Sequence, residues 1–351
     1  MTGPSATAPD ATAPDATAMF REAAQAPAVV ERLLSANRQA VETLALDLRR
    51  RPPRAVVTLG RGSSDHAATY AKYLIETGLG VLTASSAPSV SSVYEARQDL
   101  RDMLFLAISQ SGRSPDLLSA VAAARAAGAR VVALVNDAVS PMADLAHVTL
   151  PLHAGPEKSV AATKSYVAAL AAIAQLTAAW AGDAELTAAL ERLPEQLARA
   201  WDMDWSRAVG VLAPVQSLYV LGRGPGFAAA QEAALKLKET CGLHAEAFST
   251  AEVLHGPMAL VEGRFPVLIF AQGDLSEDGV VGLARELGAR GAQVLLAGAD
   301  EPGALPYTRT HATLQPIALI QSFYRLANGL ALARGLDPDS PPHLRKVTET
   351  V

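Results

Sequence analysis

Two tandem α/β/α sandwiches, each on a flavodoxin-like parallel sheet, are the fold class this sequence predicts, and two internal matches carry that expectation. AVVTLGRGSSDHAATYAKYLIET (55–77) has a counterpart in SLYVLGRGPGFAAAQEAALKLKET (217–240): a short apolar run, the tetrapeptide LGRG, then a long amphipathic stretch ending in Glu-Thr. DMLFLAISQSGRSPDLLSAVAAARAAGARVVALVND (102–137) is answered in the same way by FPVLIFAQGDLSEDGVVGLARELGARGAQVLLAGAD (265–300). Strands alternating with helices call for parallel sheets with right-handed crossovers. In such sheets a ligand sits beyond the carboxyl ends of the strands, where the LGRG and SQSG turns are expected.

Along the chain, MTGPSATAPDATAPDATA (1–18) repeats ATAPD without an apolar or basic region, so it reads as a disordered tail and not a signal peptide. Residues 19–52 show helical apolar spacing interrupted near Pro27, which predicts two helices. The repeats place a first domain at 53–195 and a second at 196–340, leaving a C-terminal tail at 341–351.

Length and composition bound the rest. The 351 residues, 50% of them hydrophobic, suffice for two domains. A net charge of −5 without basic blocks gives no footprint for nucleic acid or an anionic membrane. The run VAALAAIAQLTAAWAG (167–182) is too short, and too close to Lys164 and Asp183, to span a bilayer. A single cysteine, Cys241, excludes a disulfide framework and a cysteine-rich metal site, which suits a cytoplasmic location.

The two halves differ where chemistry is expected. Ser109-Gln110-Ser111-Gly112, with Arg113 and Ser114 at the start of a helix, gathers hydroxyls and free N–H groups, a natural seat for a phosphate monoester. Gly62-Ser63-Ser64 would add donors from the neighbouring loop. The bland alternative is a Ser/Gly-rich turn with ordinary N-capping. The matching turn of the second half, Ala271-Gln272-Gly273-Asp274, has lost the serines and gained an acid, so it is not expected to hold phosphate.

EAALKLKETCGLHAEAFSTAEVLHGP (232–257) crowds charge among apolar neighbours. Pro225 and Gly242 bracket a predicted helix, 226–241, with Glu232, Lys236 and Glu239 along one face. That row is either a solvated ion-pair stripe or something with a task, and spacing alone does not choose. His244-Ala245-Glu246 and Glu252…His255-Gly256-Pro257 follow, with too few hydrophobic positions between them for a regular strand. As metal ligands they lack a third partner at fitting spacing, and acid–base work is the alternative.

LGRG, SQSG, EKSVAATKSY, the 232–260 run and PPHLRKVTETV together resemble the double sugar-isomerase (SIS) domain family, in particular the isomerase portion of glucosamine-6-phosphate synthase and stand-alone SIS deaminases. The resemblance covers residues 50–351. It implies that Ser64, Ser109, Gln110, Ser111 and Ser114 hold a sugar 6-phosphate, with Ser63 beside them and the Val160 backbone on the sugar. It also implies that Glu239 moves a proton between C1 and C2, that His255 reaches in from a partner subunit to help open the ring, and that Lys346 can form an imine. Glu232 and Lys236 match active-site residues of the same helix. No metal or redox cofactor is required, and the expected assembly is a homodimer with shared sites.

The chain departs from the synthase at Ser63, Arg61 and Arg113, which stand for a threonine, a cysteine and an acid. It also opens on the ATAPD tail where the synthase has a glutaminase domain with a catalytic cysteine, so ammonia release from glutamine is not expected. The resulting expectation is glucosamine-6-phosphate deamination to fructose 6-phosphate and ammonia. A galactosamine-6-phosphate deaminase/isomerase or a fructosamine-phosphate deglycase would use the same residues. A non-catalytic sugar-phosphate sensor would need the phosphate loop but not Glu239, His255 or Lys346.

Overall fold

The computed structural model describes residues 14–346. Residues 1–13 of the expected tail, and 347–351 at the other end, lie outside that range. Residues 14–18 correct the tail's predicted extent. Pro14–Ala16 form a 3-10 turn and Thr17 caps α1 (Ala18–Ala23), its Oγ1 accepting from the Phe20 amide at 3.1 Å and donating to Asn328 Oδ1 at 2.6 Å. A tertiary anchor overrides a composition that by itself favours disorder. Helix α2 (Ala26–Arg50) carries Pro27 in its first turn, where a missing N–H costs nothing.

The first sheet orders its strands β2-β1-β3-β4-β5, all parallel: β1 (Val56–Leu59), β2 (Thr83–Ser85), β3 (Leu104–Ser109), β4 (Arg130–Val135) and β5 (Val148–Pro151). Between them run α3 (Ser63–Leu79), α4 (Ser89–Ser92), α5 (Pro115–Ala126) and α6 (Pro141–Leu145), and α7 (Lys164–Ala181) and α8 (Ala184–Trp201) follow. Strand β3 is buried at every position, as expected of a parallel sheet covered on both faces. The second half holds α9 (Ser206–Leu212), β6 (Ser217–Gly222), α10 (Gly226–Cys241), β7 (His244–Ser249), β8 (Pro266–Phe270), α11 (Glu277–Ala289), β9 (Gln293–Ala297) and α12 (Gln315–Ala333). Its parallel sheet is ordered β7-β6-β8-β9.

Two sequence expectations need correction here. His244–Ser249 is a strand after all: at a sheet edge only one face needs burial, so Ala245 turns inward while His244 and Glu246 face solvent. The boundary drawn between 195 and 196 falls inside α8. The halves are not separately cored, because one apolar cluster runs through α2, α3, α7, α10 and α12 and joins the inner faces of both sheets. Two smaller clusters cover the outer faces, under α5 and α11. Helix α7, apolar on nearly every side, is the shared middle layer, and no described helix is long and apolar enough to cross a membrane.

Strand order reverses between β1 and β3, and again between β6 and β8, so each half has one crevice at its switch point. The tight strand-to-helix turn there explains the repeated LGRG. A Cβ added to Gly60 would lie 2.6 Å from the Ser64 carbonyl carbon, and one on Gly222 would lie 2.5 Å from the Gly226 oxygen.

Candidate functional site

The β1/β3 crevice is bounded by the N-termini of α3 and α5. Ser63 and Ser64 are the first residues of α3, Ser109 ends β3, and Gln110 and Ser111 form the turn that follows. Ser109 Oγ accepts from the Gly112 amide at 3.0 Å, and Ser111 Oγ accepts from the Arg113 amide at 3.3 Å. Each hydroxyl braces the loop through its oxygen and keeps its proton to donate. Ser114 is the N-cap residue of α5 but makes no side-chain capping bond. Ordinary capping therefore does not account for its hydroxyl. The two departing arginines rim this crevice with their charge already matched: Arg61 donates twice to Asp116 Oδ2, at 3.0 and 2.8 Å, and Arg113 pairs with Asp137 at 2.7 Å.

The β6/β8 crevice is filled by the chain itself. Gln272, 3% exposed, donates to Asp274 Oδ2 at 2.7 Å, while Asp274 Oδ1 accepts from the Ser276 amide at 2.8 Å and its hydroxyl at 2.5 Å. The amide lies so close over Gly226 that any Cβ there would overlap it.

Helix α10 supplies the charged row, and the row is not a solvated stripe. The Glu232 and Lys236 side chains are 0% and 1% exposed, whereas that of Glu239 is 22% exposed. Lys236 Nζ lies 2.6 Å from Glu239 Oε2, 3.3 Å from Glu232 Oε1 and 3.2 Å from Ser63 Oγ. Glu232 also accepts from Ser63 Oγ at 3.0 Å and Tyr324 OH at 3.3 Å, and its second oxygen faces His66 Nδ1 at 2.9 Å. Burial alone would raise the Glu232 carboxyl, but the Lys236 ammonium and the His66 and Ser63 bonds outweigh it and hold it below the ordinary carboxylate value. Burial alone would lower Lys236, and the two glutamates outweigh that and push it above the ordinary lysine value. A fixed ammonium thus backs the partly exposed carboxylate of Glu239, while Ser63 ties the row to the first crevice.

Lys346 Nζ stands 3.3 Å from Oε2 of Glu157, a fully buried carboxylate that also accepts from Ser165 Oγ at 2.6 Å and from the Thr163 and Ser165 amides at 3.0 and 3.2 Å. Burial pushes Glu157 up, but Lys346 and these donors more than offset it and hold it below the usual range. The loop between them carries Val160, whose amide donates to the Asp339 carbonyl at 3.3 Å. Glu22 of α1 accepts from the Lys158 and Ser159 amides at 2.5 and 3.1 Å, and the Asp339 carboxylate caps α1 through the Ala18 and Met19 amides at 2.5 and 2.6 Å. His255 is exposed on the turn between two 3-10 segments, Glu252–Leu254 and Pro257–Leu260, with Leu254 and Leu260 exposed beside it. Among the described residues its ring has no hydrogen-bond partner, and nothing ties it to its own chain's first crevice.

Sequence reasoning missed His66, Tyr324, Glu157 and Glu22. His66 was within reach, since it lies one helical turn after Ser63 on the same face. Tyr324 and Glu22 join the site only through contacts some 90 and 136 residues away in the chain, for which no local pattern exists.

Residues 51–179 and 211–315 match the SIS domain family. The chain is 38% identical over 313 residues to a glutamine–fructose-6-phosphate aminotransferase (isomerizing) of Aeropyrum pernix, covering 83% of this chain and 50% of that one. It therefore spans about half the length of the curated relatives it matches. A Silicibacter pomeroyi structure, named provisionally as a phosphosugar isomerase, superposes with a TM-score of 0.88 at 48% identity, over 92% of this chain and all of that one. A glucosamine-6-phosphate deaminase of Thermotoga maritima shares the fold, with a TM-score of 0.76 at 23% identity, over 95% of this chain and 100% of that one.

Proposed function

The chain belongs to the SIS domain family, and on that premise we propose that it is an amino-sugar phosphate deaminase/isomerase, converting glucosamine 6-phosphate to fructose 6-phosphate and ammonia. The observation that carries this reading is the row Glu232–Lys236–Glu239, which joins a buried ion pair to one partly exposed carboxylate and is bonded to the phosphate-side Ser63. A sensor has no use for such a row.

In this reading the phosphate sits among Ser64, Ser109, Gln110, Ser111 and Ser114, with the sugar against the Val160 backbone. His255 assists ring opening. Glu239 takes the proton from C2 of the open aldose and returns it to C1, leaving an imine at C2 that water hydrolyses to the ketose and ammonia. A carboxylate that keeps and returns the same proton contributes about 10²–10⁴-fold. Lys346, lying against Glu157, pairs its positive charge with the anionic intermediate or forms an imine with the open-chain ketose. The exposure of His255 and its leucine neighbours supports a homodimer in which each His255 serves the partner's crevice.

The deciding assay is ammonia release from a panel of gluco- and galacto-configured amino-sugar 6-phosphates and glycated amine phosphates. Glu239→Gln should keep sugar-phosphate binding and lose at least about 10²-fold in kcat. Near-normal turnover would remove Glu239 from the chemistry. Mixing a His255→Ala chain with a Ser109→Ala/Ser111→Ala chain should restore activity in the heterodimer, and no recovery despite subunit exchange refutes the shared site.

A further inference from the structure

His66 belongs to α3, the helix that begins with Ser63 and Ser64 at the first crevice, yet its bond goes to Glu232 on α10 in the other half. An ionised carboxylate only accepts hydrogen bonds, so the ring proton facing it must sit on Nδ1. The two oxygens of Glu232 are not equally held. Oε1 is shared by Ser63, Tyr324 and Lys236, whereas among the described residues Oε2 has His66 alone, in a side chain that is 0% exposed. Without His66 one oxygen of a buried carboxylate loses its donor, and the group can turn about its last bond to find another. Lys236 rests on Glu232, and Glu239 rests on Lys236.

We propose that His66 is a positioning residue: by holding Glu232 it fixes Lys236, and through Lys236 it sets where the Glu239 carboxylate stands relative to a sugar phosphate seated at Ser64. This rests on the role for Glu239 given above. The chain of contacts is short, from His66 to Glu232 at 2.9 Å, on to Lys236 at 3.3 Å and to Glu239 at 2.6 Å; its two middle members are fully buried, and His66 is 17% exposed. Such a chain transmits displacement because its middle members, Glu232 and Lys236, have no solvent to relax into. It also sets the acid of one half in register with the phosphate seat of the other.

The test compares His66→Ala with His66→Asn, whose side-chain amide presents a donor close to the place of Nδ1. Two rates are measured: ammonia release from glucosamine 6-phosphate, and isomerisation of fructose 6-phosphate to glucose 6-phosphate, which reports transfer of the proton between C1 and C2 without ammonia release. His66→Ala should lower kcat and the isomerisation rate together by about tenfold or more with KM changed by less than about threefold, and His66→Asn should return both to within about threefold of wild type. Wild-type rates in the alanine variant, or an asparagine variant no better than alanine, overturn the proposal. If alanine fails to fold, His66→Gln, with its donor one methylene further out, replaces it, and asparagine must then exceed glutamine. A wild type inert towards every sugar phosphate defeats the functional reading instead. The ¹⁵N spectrum of the imidazoles then tests the arrangement by itself, and a proton on Nε2 with none on Nδ1 overturns it.

Discussion

The two switch-point crevices began as copies and now differ in what fills them. At β1/β3 the loop side chains bond back to their own backbone through oxygen, and among the described residues their O–H groups have no acceptor, between two helix N-termini. At β6/β8 Gln272 and Asp274 bond to each other and occupy the same space. The shared LGRG turn was retained in both because its glycine is dictated by backbone contact, whatever the ligand. In the proposed reading this is a division of labour: one copy keeps the ligand seat, and the other, its own seat closed, contributes a helix bearing acid and base.

The largest expected effect tests the copy that carries the charged row. Lys236→Met leaves Glu232 buried without its cation and should cost about 3–5 kcal/mol of folding stability in a denaturant titration. A loss near zero would return the row to the status of a surface stripe. The same pair shapes the pH profile. Glu232 is depressed below its ordinary 4.5, so its contribution is present above that pH and lost as pH falls through the lower folded value. Lys236 is raised above 10.5, so its contribution is whole below that pH and lost as pH climbs through the higher folded value. Stability should stay level between those limits, and the alkaline limb should vanish in the methionine variant.

Next comes the seat itself. Ser109→Ala with Ser111→Ala removes two donors to a charged group, about 1.5–3 kcal/mol each, and should raise KM for phosphorylated substrates by about 10²-fold or more. Unchanged affinity would move the phosphate elsewhere and erase the contrast between the crevices. Glu22→Ala withdraws the acceptor from two amides beside Val160 and should raise KM by about tenfold while kcat holds, as a loosened binding loop does. Smallest is Asp274→Ala: sugar-phosphate affinity stays as in wild type, and stability falls by about 1 kcal/mol as the Gln272 brace is lost. Any marked loss of affinity there would mean that the second crevice still takes part in binding.

Much of this was legible in the sequence because it repeats and because it is local. The strand–turn–helix units, the helix from 226 to 241 and the serine-bearing turn each announce themselves within a few residues. The edge strand at 244–249 was not legible, since a strand with one buried face shows little hydrophobicity, and its pairing with β6 is a tertiary fact. Nor could spacing tell a buried Glu–Lys pair from an exposed one. That distinction is made by α3 and α12, which arrive at α10 from far away in the chain and shut out water.

The bracket of α1 has a consequence for the order in which the protein is made. Thr17 reaches Asn328 across 311 residues, and the Ala18 and Met19 amides reach Asp339 across 321 and 320. Contacts so distant in sequence close late, because the entropy of the intervening chain must be overcome first. On the ribosome the first strands can pair while α1 waits for partners at the far end of the message, and Glu22 cannot be clamped over the Lys158 and Ser159 amides until they arrive. Under the proposed function the Val160 loop is therefore the last wall of the site to set, and a nascent chain that has already built the serine-bearing turn would still be unable to grip the rest of a sugar.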